Sequence, residues 1–146
     1  MFAGNVLAST ADYSMAAARD KALIVEDCRT VAAIVTHYLK LEGFDVVVAP
    51  NGVAGLETAR RERPRFIVTD VNMPGMGGLD LVRALRADPR THDITIFMLT
   101  SDESEDARQQ ALAAGADDYI LKPVQPRAFA AHVRAVLDRA DKAVHE

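Results

Sequence analysis

The sequence predicts an α/β fold in which five strand–helix units follow one another along the chain. Short apolar runs alternate with segments of helical periodicity, and Gly, Pro or polar turn residues separate them. Most of the apolar runs also end in a charged or hydroxyl side chain. Strands that alternate with helices of this length indicate a doubly wound parallel sheet, with helices on both faces and right-handed crossovers.

Composition limits the class of protein. The chain has 146 residues, of which 49% are hydrophobic and 26% are charged, enough apolar material for the core of one globular domain. The net charge of -4 gives no general attraction to nucleic acid or anionic lipid, so we expect no direct binding to either. A single cysteine, Cys28, favours a reducing compartment. With no secretory signal pattern and no apolar run of about 20 residues, we expect a cytoplasmic protein without a membrane segment.

The regular units predict one domain over residues 21–141. Residues 1–20 are rich in Ala, Ser and Thr without a clear period, and we expect an N-terminal extension that is partly helical or frayed. Residues 142–146 are expected to form a short C-terminal tail. The strands are predicted from apolar runs at residues 22–25, 44–49, 66–69, 94–99 and 119–121.

The helices are predicted from apolar residues spaced three and four apart. Asn51 is the expected N-cap of the second helix, and Gly43 and Gly115 are expected to end the first and the fourth. The residues expected on the buried faces are Val31, Ile34, Val35, Tyr38 and Leu39; Val53, Leu56 and Ala59; Leu79, Val82 and Leu85; and Phe129, Val133, Val136, Leu137 and Ala140.

Four of the five predicted strands end in groups of complementary chemistry. The first ends in Glu26 and Asp27, the third in Asp70, the fourth in Thr100 and the fifth in Lys122. Parallel strands bring these ends to one edge of the sheet, where ligands bind in open α/β folds. Taken singly, each group has a structural interpretation as a helix cap or a turn former. Those separate interpretations do not explain why complementary groups recur at four strand ends.

Together the strand ends predict phosphoryl-transfer chemistry. Three clustered carboxylates repel one another unless a cation lies between them, and oxygen ligands in this number suit Mg²⁺. Such a metal would keep Asp70 ionised as a nucleophile and bridge to an incoming phosphoryl group. Lys122 and Thr100 would then contact the phosphoryl oxygens, so that positioning and charge stabilisation perform the chemistry.

Four segments carry a resemblance to a known family. They are IVED at 24–27, IVTDVNMPGMGG at 67–78, MLTS at 98–101 and GADDYILKP at 115–123. Together, with their spacing, they resemble the receiver domain of bacterial two-component response regulators, over about residues 21–140. The resemblance implies a flavodoxin-like (βα)5 fold with strand order 2-1-3-4-5, whose switch point between strands one and three falls beside Asp70.

The resemblance also implies roles for the strand-end residues. Asp70 would be the phosphoacceptor, taking its phosphoryl group from a phosphohistidine on a sensor histidine kinase or a histidine phosphotransfer protein. The cofactor would be Mg²⁺, held by Glu26, Asp27 and Asp70 with the backbone carbonyl of Asn72.

Three further residues have implied roles in reading the phosphate. Thr100 and Lys122 would contact it, and Tyr119 would be an aromatic switch whose rotamer follows the Thr100 hydroxyl. The protein would then be a signalling phosphoacceptor rather than an enzyme, assisting only its own phosphotransfer and a slow hydrolysis of the acyl phosphate.

The form of the output is a separate expectation. Because no output domain follows residue 146 in this sequence, we expect a stand-alone receiver or phosphorelay shuttle that presents its phosphorylated surface to an effector protein. The alternative is a receiver taken from a longer regulator. GADDY and Arg108 resemble the transcription-factor class that dimerises through helix four, strand five and helix five. Ala128 and His132 stand where that class has its pairing residues, so we expect a monomer or weak dimer.

Two other classes of protein share parts of this pattern. A Mg²⁺-dependent phosphatase of the haloacid dehalogenase type also uses a strand-end aspartate, but it needs a second acid two residues later, where this chain has Asn72, and a large cap. A flavodoxin-like electron carrier would need a Ser/Thr-rich phosphate loop after the first strand, and the sequence has none there.

Overall fold

The computed structural model describes residues 20–145, with side chains described as far as residue 141. The extension predicted at residues 1–20 therefore lies, apart from Asp20, outside the described residues. The elements in chain order are β1 (Lys21–Val25), α1 (Arg29–Leu41), β2 (Asp45–Ala49), α2 (Gly52–Glu62), β3 (Phe66–Asp70), α3 (Gly78–Ala87), β4 (Thr95–Thr100), α4 (Glu105–Ala114), β5 (Asp118–Leu121) and α5 (Pro126–His145).

The five strands form one parallel sheet in the order β2-β1-β3-β4-β5. This confirms the doubly wound fold, and each strand lies within one residue of the span predicted from its apolar run. Helix α5 continues to His145, within the segment 142–146 that we expect to be the C-terminal tail. No helix among residues 20–145 is both long and apolar enough to cross a membrane.

The sheet separates two apolar layers because alternate strand residues point to opposite faces. Leu23, Ile67 and Met98 belong to a layer that also contains side chains of α2, α3 and α4. Ile24 and Phe97 belong to the other layer, which contains side chains of α1 and α5. Both faces of the central strands are therefore covered, which is why those strands read as continuous apolar runs.

Several predicted helix ends are confirmed. The Asn51 side chain accepts a hydrogen bond from the Ala54 N–H at 2.8 Å and caps α2. Gly115 ends α4 with a φ of 119°, a left-handed conformation that costs glycine little. Gly43 follows the end of α1 with a φ of 91°.

Two residues expected on buried helix faces are exposed, so those two predictions were wrong. Ile34 on α1 is 42% exposed and Val53 on α2 is 56% exposed. Helix α2 approaches the sheet through Gly55, where an added Cβ would come within 2.8 Å of Val25. The small residues that allow this approach define the buried face of α2, and Val53 lies away from it.

Hydrogen bonds of the Arg86 side chain join α3 to the end of α4 and to the segment before β5. The Arg86 guanidinium donates to the carbonyls of Gly115, His92 and Ile94 at 2.9, 2.8 and 2.6 Å. It also donates to the Asp117 carboxylate at 2.9 Å, which in turn accepts the Ile96 N–H at 2.8 Å. One side chain thus satisfies several carbonyls that no helix or strand pairs.

Candidate functional site

Strand register brings the predicted strand-end residues to one edge of the sheet. Strand β3 lies between β1 and β4, with Val25 opposite Thr69 and Asp70 opposite Leu99. The residue after Val25 is Glu26, so its side chain reaches the same level as Asp70. On the far side, the Lys122 N–H donates to the Thr100 carbonyl at 2.8 Å and extends the pairing of β4 with β5.

Three carboxylates and one ammonium meet at this edge. Carboxylate oxygens of Glu26, Asp27 and Asp70 all lie within 4.8 Å of one another. Lys122 Nζ lies 3.3 Å from Glu26 Oε1 and 3.3 Å from Asp70 Oδ1. Glu26 is 3% exposed and Asp70 is 6% exposed, whereas Asp27 is open to solvent. The cluster is therefore a shallow site with two covered acids and one exposed acid.

Burial and mutual repulsion change the ionisation of this cluster. Burial, aided by the nearby Asp70 charge, raises the pKa of Glu26 to about 7, although the Cys28 N–H, 3.3 Å from Oε2, opposes the shift. Burial alone would lower the pKa of Lys122, but the charges of Asp70 and Glu26 outweigh it and raise that pKa. Lys122 is thus held in its charged form.

The donor set of this edge suits a hard divalent cation. All three candidate ligands are carboxylates, the type that such cations prefer. Among the described residues, no hydrogen bond to the buried Glu26 Oε1 atom is found, and the Lys122 ammonium lies 3.3 Å from it as an ion-pair partner. A buried oxygen without a hydrogen bond is costly, and coordination to a cation would satisfy it.

The loop after Asp70 is fixed by close packing. Met73 is buried in the layer that faces α2, α3 and α4, and Gly75 has a φ of 73°. Gly78, the first residue of α3, lies so close to the Asp70 carbonyl that an added Cβ would be 2.1 Å from that oxygen. Its N–H donates to the Val71 carbonyl at 2.8 Å. Because Gly78 has no side chain, α3 can begin in close contact with the Asp70 backbone.

Hydrogen bonds to Asp102, in the loop after β4, link Thr100 with Tyr119. The Thr100 hydroxyl is buried and accepts the Asp102 N–H at 3.1 Å. The Tyr119 hydroxyl donates to the backbone carbonyl of Asp102. The Asp102 carboxylate accepts the Ser104 N–H at 2.9 Å, and this bond lowers the pKa of Asp102. One residue thus joins the threonine, the tyrosine and the start of α4.

Sequence reasoning missed Gly78 and Asp102. Gly78 lies in the quoted MPGMGG segment, but only the folded chain shows the approach of α3 to Asp70. Asp102 precedes Ser104, whose side chain caps α4 by accepting the Ala107 N–H at 3.1 Å. An aspartate two residues before an N-cap serine is a usable signal for such a turn.

The other residues named from the sequence lie on the loop after Asp70 and on α5. Asn72 is exposed on the loop after Asp70, and Ala128 is exposed on α5. His132 Nε2 lies 2.9 Å from Asp118 Oδ2, and Arg139 lies 3.5 Å from the same oxygen. Asp118 is thus paired with two side chains of α5.

The chain belongs to the response regulator receiver domain family. Residues 22–134 match the family model described as "Response regulator receiver domain". This confirms the resemblance seen in the sequence and places the protein among two-component signalling proteins.

Relatives of known name support the same family. The DNA-binding response regulator MtrA of Mycobacterium tuberculosis is 40% identical over 123 residues, which is 84% of this chain and 53% of that protein. The transcriptional regulatory protein PrrA of Mycobacterium bovis is 40% identical over 119 residues, or 82% of this chain and 50% of that protein. The chain therefore spans about half the length of these curated relatives.

Solved structures match the fold over nearly their full length. The chemotaxis protein CheY4 of Vibrio cholerae has a TM-score of 0.77 and 32% identity, covering 81% of this chain and 98% of that chain. A putative response regulator from Chloroflexus aurantiacus has a TM-score of 0.78 and 32% identity, covering 82% of this chain and 98% of that chain.

Proposed function

We propose that Asp70 accepts a phosphoryl group from a phosphohistidine of a sensor histidine kinase or histidine phosphotransfer protein. The observation that carries this proposal is the position of Asp70, a nearly buried carboxylate within 4.8 Å of two other carboxylates and 3.3 Å from the Lys122 ammonium. Membership of the receiver family supports a histidine kinase as the class of partner.

The transfer is a displacement at phosphorus. An Asp70 carboxylate oxygen forms the new O–P bond while the P–N bond of the phosphohistidine breaks. The imidazole departs with the electron pair of that bond and takes up a proton. The product on Asp70 is an acyl phosphate, and the structural task of the site is to orient the carboxylate and offset the charge of the incoming group.

Glu26, Asp27 and Asp70, with the backbone carbonyl of Asn72, would hold Mg²⁺. When bound, this ion supplies charge neutralisation for the clustered acids and for the transferring phosphoryl group. The all-carboxylate donor set and the hydrogen-bond-deficient Glu26 Oε1 support this assignment. The buried position of Glu26 keeps one acid in place, while the exposed Asp27 leaves the site open to a partner.

Lys122 and Thr100 would contact the oxygens of the phosphoryl group on Asp70. Lys122 already lies beside the acceptor carboxylate and is held charged there. The Thr100 hydroxyl accepts the Asp102 N–H, so turning this hydroxyl toward a phosphate would disturb the loop that also binds Tyr119. Tyr119 is thereby suited to be the switch residue that carries the change to the surface.

The phosphorylated surface would then be recognised by a downstream effector. The name of MtrA describes that relative as DNA-binding, and this chain covers about half of it. The net charge of -4 argues against direct nucleic-acid contact by this chain. We therefore infer that the phosphorylated surface is recognised by a protein partner or by an attached output domain.

The proposal is tested with small phosphodonors. Acetyl phosphate or phosphoramidate with Mg²⁺ should add one phosphoryl group, measured as intact mass. Asp70→Asn should add none, and a matched substitution of an exposed acid, Asp93→Asn, should behave like the unaltered chain. Undiminished phosphorylation of the Asp70→Asn variant would overturn the assignment.

Beryllofluoride provides an independent test of the phosphorylated state. With Mg²⁺ it should occupy the position of the phosphoryl group and change the tyrosine fluorescence or near-ultraviolet circular dichroism through Tyr119. Tyr119→Phe should bind the anion with little of that spectral change. A spectrum that beryllofluoride leaves unaltered at saturating concentration contradicts the switch role.

A further inference from the structure

A groove lined by arginines lies at the opposite end of the molecule from Asp70. Helices α2 and α3 both end at the amino edge of the sheet, where β3 and β4 begin. The four steps of β3 alone separate Phe66 from Asp70 by about 13 Å. The groove has a volume of about 520 Å³, and its lining residues are Arg60, Ala84, Ala87, Asp88, Pro89 and Arg90.

A buried carboxylate holds two arginines at the rim of this groove. Asp88 is 7% exposed, and its Oδ2 atom accepts the Arg60 Nε–H at 2.6 Å. The same carboxylate accepts the backbone N–H of Arg90 at 2.9 Å and its guanidinium at 3.2 and 3.1 Å. Two guanidinium groups are therefore fixed side by side before any ligand arrives, which lowers the entropy cost of binding.

Both arginines keep donors for a ligand. Arg60 gives only its Nε–H to Asp88, and its terminal amino groups donate to no other described residue. The side chains of Arg60 and Arg90 remain open to solvent along the groove. Ala84, Ala87 and Pro89 contribute small apolar surfaces between them. A planar guanidinium with free N–H groups pairs well with a carboxylate or a phosphate.

The charged residues that line the groove are two arginines and one aspartate, so their net charge is positive, opposite in sign to that of the whole chain. Arg61 and Arg63 follow Arg60 along the chain at the end of α2, outside the groove lining, and neither forms an ion pair with a described residue. The negative end of a helix dipole favours arginines at such positions. The dipole does not require that two guanidinium groups share one buried carboxylate, as Arg60 and Arg90 do.

We propose that this groove binds an acidic segment of a partner protein. Carboxylates on such a segment would pair with the free N–H groups of Arg60 and Arg90, while its backbone and methylene groups cover the small apolar residues. A nucleic acid fits less well, because its extended negative charge would also pass over the acidic remainder of a chain with a net charge of -4. The inference does not rest on phosphorylation of Asp70, because the groove and Asp70 lie at opposite ends of the strands.

The test uses the full chain and a short fluorescein-labelled peptide of alternating Glu and Ala, with binding read as fluorescence anisotropy. The double substitution Arg60→Gln with Arg90→Gln should weaken peptide binding by about tenfold or more. The matched double substitution Arg108→Gln with Arg127→Gln removes two exposed arginines elsewhere and should change the affinity by less than about twofold.

A second variant guards against loss of folding, since Arg60 and Arg90 both support Asp88. The double substitution Arg61→Gln with Arg63→Gln breaks no described ion pair. It should still weaken peptide binding by about threefold. Phosphorylation by acetyl phosphate should stay unchanged in every variant. The inference is overturned if the groove and control variants lose the same affinity, or if the unaltered chain does not bind the peptide. It is also overturned if a single-stranded oligonucleotide of equal charge binds more tightly than the peptide.

Discussion

Lys122 Nζ lies 3.3 Å from Oδ1 of Asp70, and it lies equally far from Oε1 of Glu26. The ammonium therefore offsets the repulsion between two covered carboxylates. It also repels any other cation that approaches the same oxygens, so the lysine and a bound metal ion compete electrostatically for them.

Removing this ammonium should strengthen Mg²⁺ binding. Lys122→Ala is expected to lower the Mg²⁺ dissociation constant by about tenfold, because a unit charge a few ångströms away is lost. Isothermal titration calorimetry measures the affinity, and Lys40→Ala, an exposed lysine on α1, is the matched control. Weaker Mg²⁺ binding by Lys122→Ala than by the control would contradict this reading of the site.

The junction between β3 and α3 should tolerate no side chain at Gly78. Gly78→Ala places a Cβ 2.1 Å from the Asp70 carbonyl oxygen, so the backbone has to move. We expect the free energy of unfolding to fall by about 2 kcal/mol or more, measured by urea denaturation. At Gly77 the nearest atom to an added Cβ is the Val71 oxygen at 3.5 Å, so Gly77→Ala should cost less than about 1 kcal/mol. Equal costs at the two glycines would show that the close contact is not what matters.

Arg86 should contribute more to stability than any exposed arginine on the same helix. Arg86→Met keeps an apolar stem but leaves the carbonyls of Gly115 and Ile94 without this donor. The expected loss in the free energy of unfolding is about 2–3 kcal/mol. Arg83→Met breaks a single exposed pair with Asp80 and should cost less than about 0.5 kcal/mol. Denaturant unfolding measures both losses, and similar losses for the two variants would contradict the stabilising role of the Arg86 hydrogen bonds.

Asp88 should make the stability of the fold depend on acid pH. Hydrogen bonds from Arg90, and then from Arg60, hold the pKa of Asp88 well below its usual range. Because the folded-state pKa is lower than the unfolded value of 3.8, this stabilisation is present above about pH 4 and is lost as the pH falls below it.

The stability difference between the unaltered chain and Asp88→Asn should therefore shrink from neutral pH toward pH 3. Asp93→Asn changes an exposed acid in the same loop and should show no such trend. Urea denaturation at several pH values gives these differences. A gap between the unaltered chain and Asp88→Asn that stays constant with pH would rule out the ionised carboxylate as its source.

The sequence was sufficient for the strands and for the strand-end acids because both depend on local pattern. A strand covered on both faces is a run of apolar residues, and the residue that ends it reaches the edge of the sheet whatever its neighbours are. Glu26, Asp70 and Lys122 were therefore predictable as neighbours before their distances were known.

Contacts between distant segments were not predictable in this way. The exposure of Val53 depends on how closely Gly55 brings α2 to Val25, and the need for Gly78 depends on where α3 starts beneath Asp70. The arginines that Asp88 holds come from two separate elements. Each feature arises from packing between elements, which periodicity within one element does not encode.

The most direct test of the central claim is to identify the phosphorylated residue chemically. After treatment with acetyl phosphate and Mg²⁺, borohydride reduction converts an aspartyl phosphate to homoserine, and peptide mass spectrometry locates it. We predict homoserine at position 70 alone, and none in the Asp70→Asn variant. Homoserine at another aspartate, or phosphate that survives reduction on a serine or threonine, would contradict the assignment of Asp70 as the phosphoacceptor.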